Sequence, residues 1–250
     1  MENYFDKQFE LRYFEMNNFG MASPTTMLML LEETAADHCY SINYSLYDLV
    51  KQNVGWVLRS GFMQMERYPG YKEKIIIRTW LSNYSAIRGI RENIIYDEQY
   101  NIIGRAKGLW VFFDIFKRRP VKIIDEIKAK WSIYNEESIN QDITKKIEAI
   151  DSAFFMKKFK VNRFDTDMNK HVNNIRYLQW VMESIPKEIV DDYHLYSIDG
   201  RFIAEAQYDD TIISLTEKDV NNNSFVHTIK IRDSQKVCAT AKTVWKKLEK

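Results

Sequence analysis

Displaced by 150 residues, the chain matches itself without a gap. Phe9 falls on Phe159, Leu11 on Val161, Phe14 on Phe164, Glu15 on Asp165, Leu28 on Leu178, Leu31 on Val181 and Glu33 on Glu183. Identities are few, so what repeats is a pattern: strand-like alternation, a short polar connection, then a helix with apolar residues three and four apart. Each copy also closes on a similar strand, residues 105–110 in the first and 240–245 in the second. The chain is therefore expected to be two copies of one helix-and-strand unit.

In the first copy, Ser23-Pro24 reads as an N-cap followed by proline at the first helical position, with Met27, Leu30, Leu31, Thr34 and Ala35 on the inner face of a helix running to about Cys39. Strands rich in β-branched and aromatic residues are predicted over 56–66, 75–81, 88–96 and 102–113, broken by Tyr68-Pro69-Gly70 and by residues 97–101. In the second copy Ile175, Leu178, Val181, Met182 and Ile185 form a helical stripe ended by Pro186, followed by strands over 197–208, 211–218, 224–233 and 236–246. Residues 122–152 are polar and irregular, with helical stretches at 125–131 and 138–149, and read as a connector between units spanning 1–121 and 153–250.

At 250 residues and 45% hydrophobic, the chain can bury a substantial core. Lys and Arg number 36 against 35 Asp and Glu, a formal charge of +1, so no global field draws it to nucleic acid or an acidic membrane. No stretch reaches the roughly 18 apolar residues of a membrane span, and the opening residues lack the pattern of a signal peptide. Two distant cysteines, Cys39 and Cys238, suit a reducing cytoplasm. His38, His194 and His227 show no ligand spacing, and no glycine-rich phosphate loop is present, so neither metal nor cofactor is expected.

The residues that carry chemistry lie at 165–177. Along an extended chain, side chains two apart point the same way, so Asp167, Asn169 and His171 can converge on one small volume. The helix that follows aims free backbone N–H groups at that volume. Asn173 reads as its N-cap and Asn174 as a helix-start residue, with a second reading in which they line the site. At the matching positions of the first copy stand Asn17, Phe19 and Met21, so that copy cannot do the same chemistry.

The string Asn169-Lys170-His171-Val172-Asn173-Asn174 followed by Tyr177 resembles the Asn-x-His-Val-Asn-Asn signature of acyl-acyl carrier protein (acyl-ACP) thioesterases, and Trp180, Glu183, Ser184 and Pro186 continue that family's helix. The resemblance implies an α+β double-hotdog protein: two tandem domains, each a helix wrapped by an antiparallel sheet, with the sheets side by side. It implies hydrolysis of the acyl-ACP thioester to free fatty acid in fatty acid synthesis, without a cofactor. It also places Glu205 where the family keeps a catalytic Glu, often followed by Cys. Here the pair is Glu205-Ala206, so the carboxylate is kept and a thiol nucleophile at that position is absent. Taken from the residues alone, Glu205 alternates with Phe202, Ala204, Ala206 and Tyr208 and points away from their face.

Thioester hydrolysis needs a nucleophile, donors for the oxyanion and a leaving group. The thiol leaves readily, with a pKa of about 8.5. Backbone N–H groups near Asn173 to Ile175 are the expected donors. Asp167 or Glu205 either activates water or attacks the carbonyl, with Asn169 and His171 fixing the carboxylate; the sequence leaves both routes open. Under the resemblance the first unit holds the acyl chain, with Met27, Met29, Met63, Met65, Trp56 and Phe62 as wall material. The carrier protein is acidic, so Lys117-Arg118-Arg119 and Lys157-Lys158 are its candidate docking residues. Two rival readings remain: a hotdog thioesterase acting on acyl-coenzyme A, and a non-catalytic acyl-binding hotdog. A bacterial setting is expected, and a monomer would suffice, although exposed edges leave a homodimer open.

Overall fold

The computed structural model describes residues 4–167, 172–219 and 223–248. It divides into two compact units, Met1–Ile143 and Thr144–Lys250. The first contains β1 (Phe5–Glu10), α1 (Pro24–Ser41), α2 (Leu46–Lys51), β2 (Val54–Met65), β3 (Lys74–Tyr84), β4 (Arg88–Asp97), β5 (Ile102–Asp114), β6 (Arg119–Pro120) and α3 (Asp125–Lys130). Its antiparallel sheet runs β1-β3-β4-β5-β2, with β6 paired to β5. The second contains β7 (Phe155–Lys160), α4 (Asn174–Glu183), α5 (Lys187–Asp192), β8 (Tyr193–Phe202), β9 (Thr211–Lys218), β10 (Ser224–Ile231) and β11 (Val237–Lys247). Its antiparallel sheet runs β8-β11-β10-β9-β7.

The 150-residue repeat holds down to single hydrogen bonds. Strands β1 and β7 begin and end at matching positions, and each is followed by one turn of 3-10 helix, Tyr13–Glu15 and Arg163–Asp165. In each turn the carboxylate accepts from the backbone N–H three residues back: Glu15 from Arg12 at 2.6 Å and Asp165 from Asn162 at 2.7 Å. The carbonyls of the same two residues accept from Ser23 and Asn173, at 3.0 and 2.9 Å, and so fix where each helix starts. Isolated antiparallel bridges Met16–Ala22 and Thr166–Val172 close the intervening loop in both copies. Ser23 and Asn173 then cap α1 and α4 by accepting from Thr26 N–H at 3.0 Å and Ile175 N–H at 2.8 Å.

Helix α1 covers one face of the first sheet, the face that carries Arg91, Asn93 and Ile95 of β4 and, by alternation, Met63 and Met65 of β2. On the opposite face Glu92 is fully buried, accepting from Ser82 and from both the N–H and hydroxyl of Ser138, with Lys107 at 3.4 Å. That cluster anchors residues 131–143, along with Trp80 Nε1 donating to the Glu136 carbonyl and Ile143 packed on Phe62 and Leu109. In the second unit, fully buried His227 spans three strands of the sheet, bonded to Thr216 of β9 and Thr243 of β11 at 2.9 Å each.

Several expectations need correction. Residues 138–149 form no helix: the four-residue spacing of Ile139, Ile143 and Ile147 reads as helical, yet the segment is irregular with a turn at 143–145, and Ile139 and Ile143 lie against Phe62 and Leu109 of the sheet. The strand predicted over 197–208 is β8, which starts at Tyr193 and stops at Phe202, because the backbone N–H groups of Ile203 and Ala204 both turn to the Cys238 carbonyl. The short elements α2, β6 and α5 were not expected. Met29 is half exposed on the outer side of α1, and Phe62 faces Ile139 and Ile143 rather than the α1 side, so neither fits the wall proposed for them.

Candidate active site

At the N-terminal end of α4 the second unit brings the described part of the motif next to the segment that follows β8. The loop leading there is pinned at its base by the Thr166–Val172 bridge, and the segment after β8 is tied to the same place. Val172 N–H donates to the Ala206 carbonyl at 3.2 Å, and Ala206 N–H donates to the Tyr177 hydroxyl at 2.8 Å. Both polar groups of Ala206 are thus held by the motif and its helix, and the neighbouring Glu205 is carried with them. Glu205 is half-buried in an irregular segment rather than on a strand, so strand alternation does not set its direction. Tyr177 is buried, and burial pushes its hydroxyl well above its usual pKa, so it stays protonated and neutral.

Asp167 is described and exposed, while Asn169 and His171 lie outside the described residues. Asp165 is a framework group: besides its turn bond it pairs with Arg176 Nε at 3.4 Å. Of the three backbone donors expected at the helix start, two are engaged. Asn173 N–H goes to the Asp165 carbonyl and Ile175 N–H to the Asn173 side chain. Among the described residues Asn174 N–H has no partner, and it stands where the helix dipole is most positive. The first unit is closed at the matching place: Asn17, opposite Asp167 in the repeat, folds its side chain back onto the N–H groups of Phe19 and Met21 at 2.9 and 3.2 Å.

Both cysteines are buried and free, and burial raises their thiol pKa, that of Cys238 to about 11. Neither is suited to attack as a thiolate. Among the described residues no cluster of His, Cys, Asp and Glu could hold a metal ion, and no helix is long and apolar enough to cross a membrane. The two basic candidates differ in kind. Lys117, Arg118 and Arg119 are exposed where β5 turns into β6, with Arg118 in the left-handed region at φ 53°. Lys157 and Lys158 are successive residues of edge strand β7; Lys157 leans on Glu183 of α4 at 3.4 Å, so Lys158 points to the other face and the two form no single patch.

Two family profiles cover this architecture. The acyl-ACP thioesterase N-terminal domain matches residues 2–131 and its C-terminal domain residues 147–247. The chain belongs to the acyl-ACP thioesterase family. Relatives include oleoyl-acyl carrier protein thioesterase 2 of Arabidopsis thaliana, 26% identical over 97% of this chain and 77% of the relative. A palmitoyl-acyl carrier protein thioesterase of Gossypium hirsutum is likewise 26% identical, over 97% of this chain and 63% of the relative. Two solved structures share the double-hotdog fold with a TM-score of 0.87. They are the 12:0-ACP thioesterase of Umbellularia californica (22% identity, 99% of both chains) and an acyl-ACP thioesterase from Bacteroides thetaiotaomicron (20% identity, 98% of both chains). As a member of this family the protein is a thioester hydrolase, releasing fatty acid from its carrier and so ending its synthesis.

Proposed function

We propose that this acyl-ACP thioesterase hydrolyses its substrate at the N-terminal end of α4, with Glu205 as the general base that activates water. The observation that carries this reading is the double tether of Ala206, which ties the Glu205 backbone to the motif helix through Val172 and Tyr177. Glu205 takes a proton from water as the oxygen attacks the thioester carbonyl. The resulting oxyanion is stabilised by Asn174 N–H and the α4 dipole, a donor of this type being worth roughly 3 kcal/mol. Collapse expels the carrier's thiolate, which recovers the proton. In this reading Asp167, Asn169 and His171 orient the water and share the proton with Glu205, while Asn173 shapes the donor end of the helix.

Glu205→Gln, Asp167→Asn, Asn169→Ala and His171→Ala, assayed by thiol release from acyl-ACP, rank these roles. Loss of about 100- to 10,000-fold in kcat is expected for Glu205→Gln. A Glu205→Gln enzyme within a few-fold of the parent would remove Glu205 from the chemistry. Direct attack by a carboxylate would instead pass through a mixed anhydride. Where water opens that anhydride at the enzyme's carboxyl carbon, the acyl group leaves with an enzyme oxygen, and a single turnover in isotopically labelled water places unlabelled oxygen in the first product.

For carrier recognition the exposed turn at Lys117, Arg118 and Arg119 is favoured over Lys157 and Lys158, whose side chains diverge. Reversing the charge of Arg118 and Arg119 should raise KM for acyl-ACP and leave acyl-coenzyme A unaffected; equal effects on both would argue against docking there. The two free cysteines support placement in a reducing, cytoplasmic setting.

A further inference from the structure

Arg91 is a nearly buried cation, 6% exposed, for which the described residues supply no carboxylate. It sits on β4 beneath α1, and only one of its terminal nitrogens is used: Nη1 donates to His38 Nδ1 at 3.0 Å and to Thr79 Oγ1 at 3.1 Å. The Nε–Nη2 edge, the fork that binds a carboxylate through two parallel bonds, has no partner among the described residues. The C-terminal end of α1 lies near, but the carbonyls of His38, Cys39 and Tyr40 already accept from Ser41, Tyr44 and Asn43. An uncompensated buried guanidinium is costly, and one of this kind calls for an anion.

The surroundings repeat the same deficit. Because His38 accepts at Nδ1, it is a neutral imidazole with its proton on Nε2, and burial first, then the adjacent Arg91 charge, hold its pKa near 3. The ring of Trp131 lies 6.0 Å from the guanidinium carbon and 5.6 Å from the ring of Trp56, and among the described residues both buried indole N–H groups have no acceptor. One step along the same face, the side-chain oxygen of Asn93 is also buried without a partner, and turning the amide over would present another donor. Across the sheet at the level of Arg91 the next two strands carry Gly108 and Gly61. A Cβ at Gly61 would meet only Leu58 within 4 Å, while Gly108 is overlain by Leu58 and the indole nitrogen of Trp110. Beside Arg91 the sheet therefore carries two glycines partly covered by Leu58 and Trp110, and the two unpartnered indole donors lie in an apolar setting that includes Leu81 and Phe112.

We propose that the Arg91–His38 pair beneath α1 is a binding site for the carboxylate of an aliphatic acid, separate from the hydrolytic residues of the second unit. The carboxylate can belong to a free fatty acid or to the far end of an acyl chain that carries a second acid group. The proposal does not depend on which residue activates water.

The test is a tryptophan-fluorescence titration of the full chain with a medium-chain fatty acid and with its methyl ester. Wild type should bind the acid at least about tenfold more tightly than the ester, as expected of a hydrogen-bonded charge pair. Arg91→Met should erase that preference and Arg91→Lys should weaken it by losing the fork. Equal binding of acid and ester to wild type, or an unchanged preference in Arg91→Met, overturns the proposal. Where Arg91→Met fails to fold, Arg91→Lys carries the test: a preference for the acid unchanged from wild type overturns the proposal. Hydrolysis of a carrier-bound acyl group with a terminal carboxylate separates the sources. Selective loss of that substrate in Arg91→Met assigns the site to the substrate's tail, and loss of fatty acid binding alone assigns it to the free acid.

Discussion

Two histidines are held neutral by burial, and their titration sets an acid limit on stability. His38 and His227 both lie near pKa 3 in the fold, against about 6.5 in an unfolded chain. On acidification the unfolded chain takes up these protons first. The stabilisation is therefore complete above about pH 6.5 and is lost progressively as pH falls towards 3, by at most about 1.4 kcal/mol per pH unit for each histidine. Denaturant midpoints measured from pH 7 to pH 4 should fall, and His227→Gln should fall less steeply than wild type; parallel curves would show that His227 does not titrate in this way. Nothing in the sequence marked His227 beyond its lack of ligand spacing. Its partners Thr216 and Thr243 stand on different strands, Thr216 directly across from His227 and Thr243 diagonally across from it beside Phe225, and only sheet pairing brings the three together.

At the scale of elements, α4 is both a scaffold and a clamp. Its start was legible, because Asn173 stands where an N-cap must stand and the residues after it keep a helical period. That Tyr177 reaches out of the helix to hold the Glu205 segment was not legible. The two residues are far apart in sequence, and one hydroxyl accepting from a backbone N–H leaves no pattern. Tyr177→Phe removes the acceptor for Ala206 N–H, which should cost about 1–3 kcal/mol of stability and lower kcat more than it raises KM. A variant with wild-type kcat would make the tyrosine purely structural. The position of Glu205 shows the same limit from the other side: alternation assigned it to a strand face, but the strand ends first, since the backbone after Phe202 pairs with Cys238.

At the scale of the whole molecule, one unit is given twice and only the second copy carries the Asp167, Asn169, His171 string. Asn17 closes the first copy's loop with its own side chain, so Asn17→Ala should cost about 1 kcal/mol of stability and leave kcat within a factor of two. A large loss of kcat would mean that the first loop takes part in the reaction. The sequence by itself determined the duplication, the helix starts and most strands, and it singled out Asp167, Asn169 and His171 as candidates. All of these are written in local periodicity or in residues close together along the chain. Tertiary structure alone decided which backbone donors at α4 are engaged, how the segment of Glu205 is tied to that helix, and that Arg91 lies buried beneath α1 with no carboxylate beside it among the described residues. Each of these depends on pairing between distant segments, where burial and hydrogen-bond competition, rather than local preference, choose the partner.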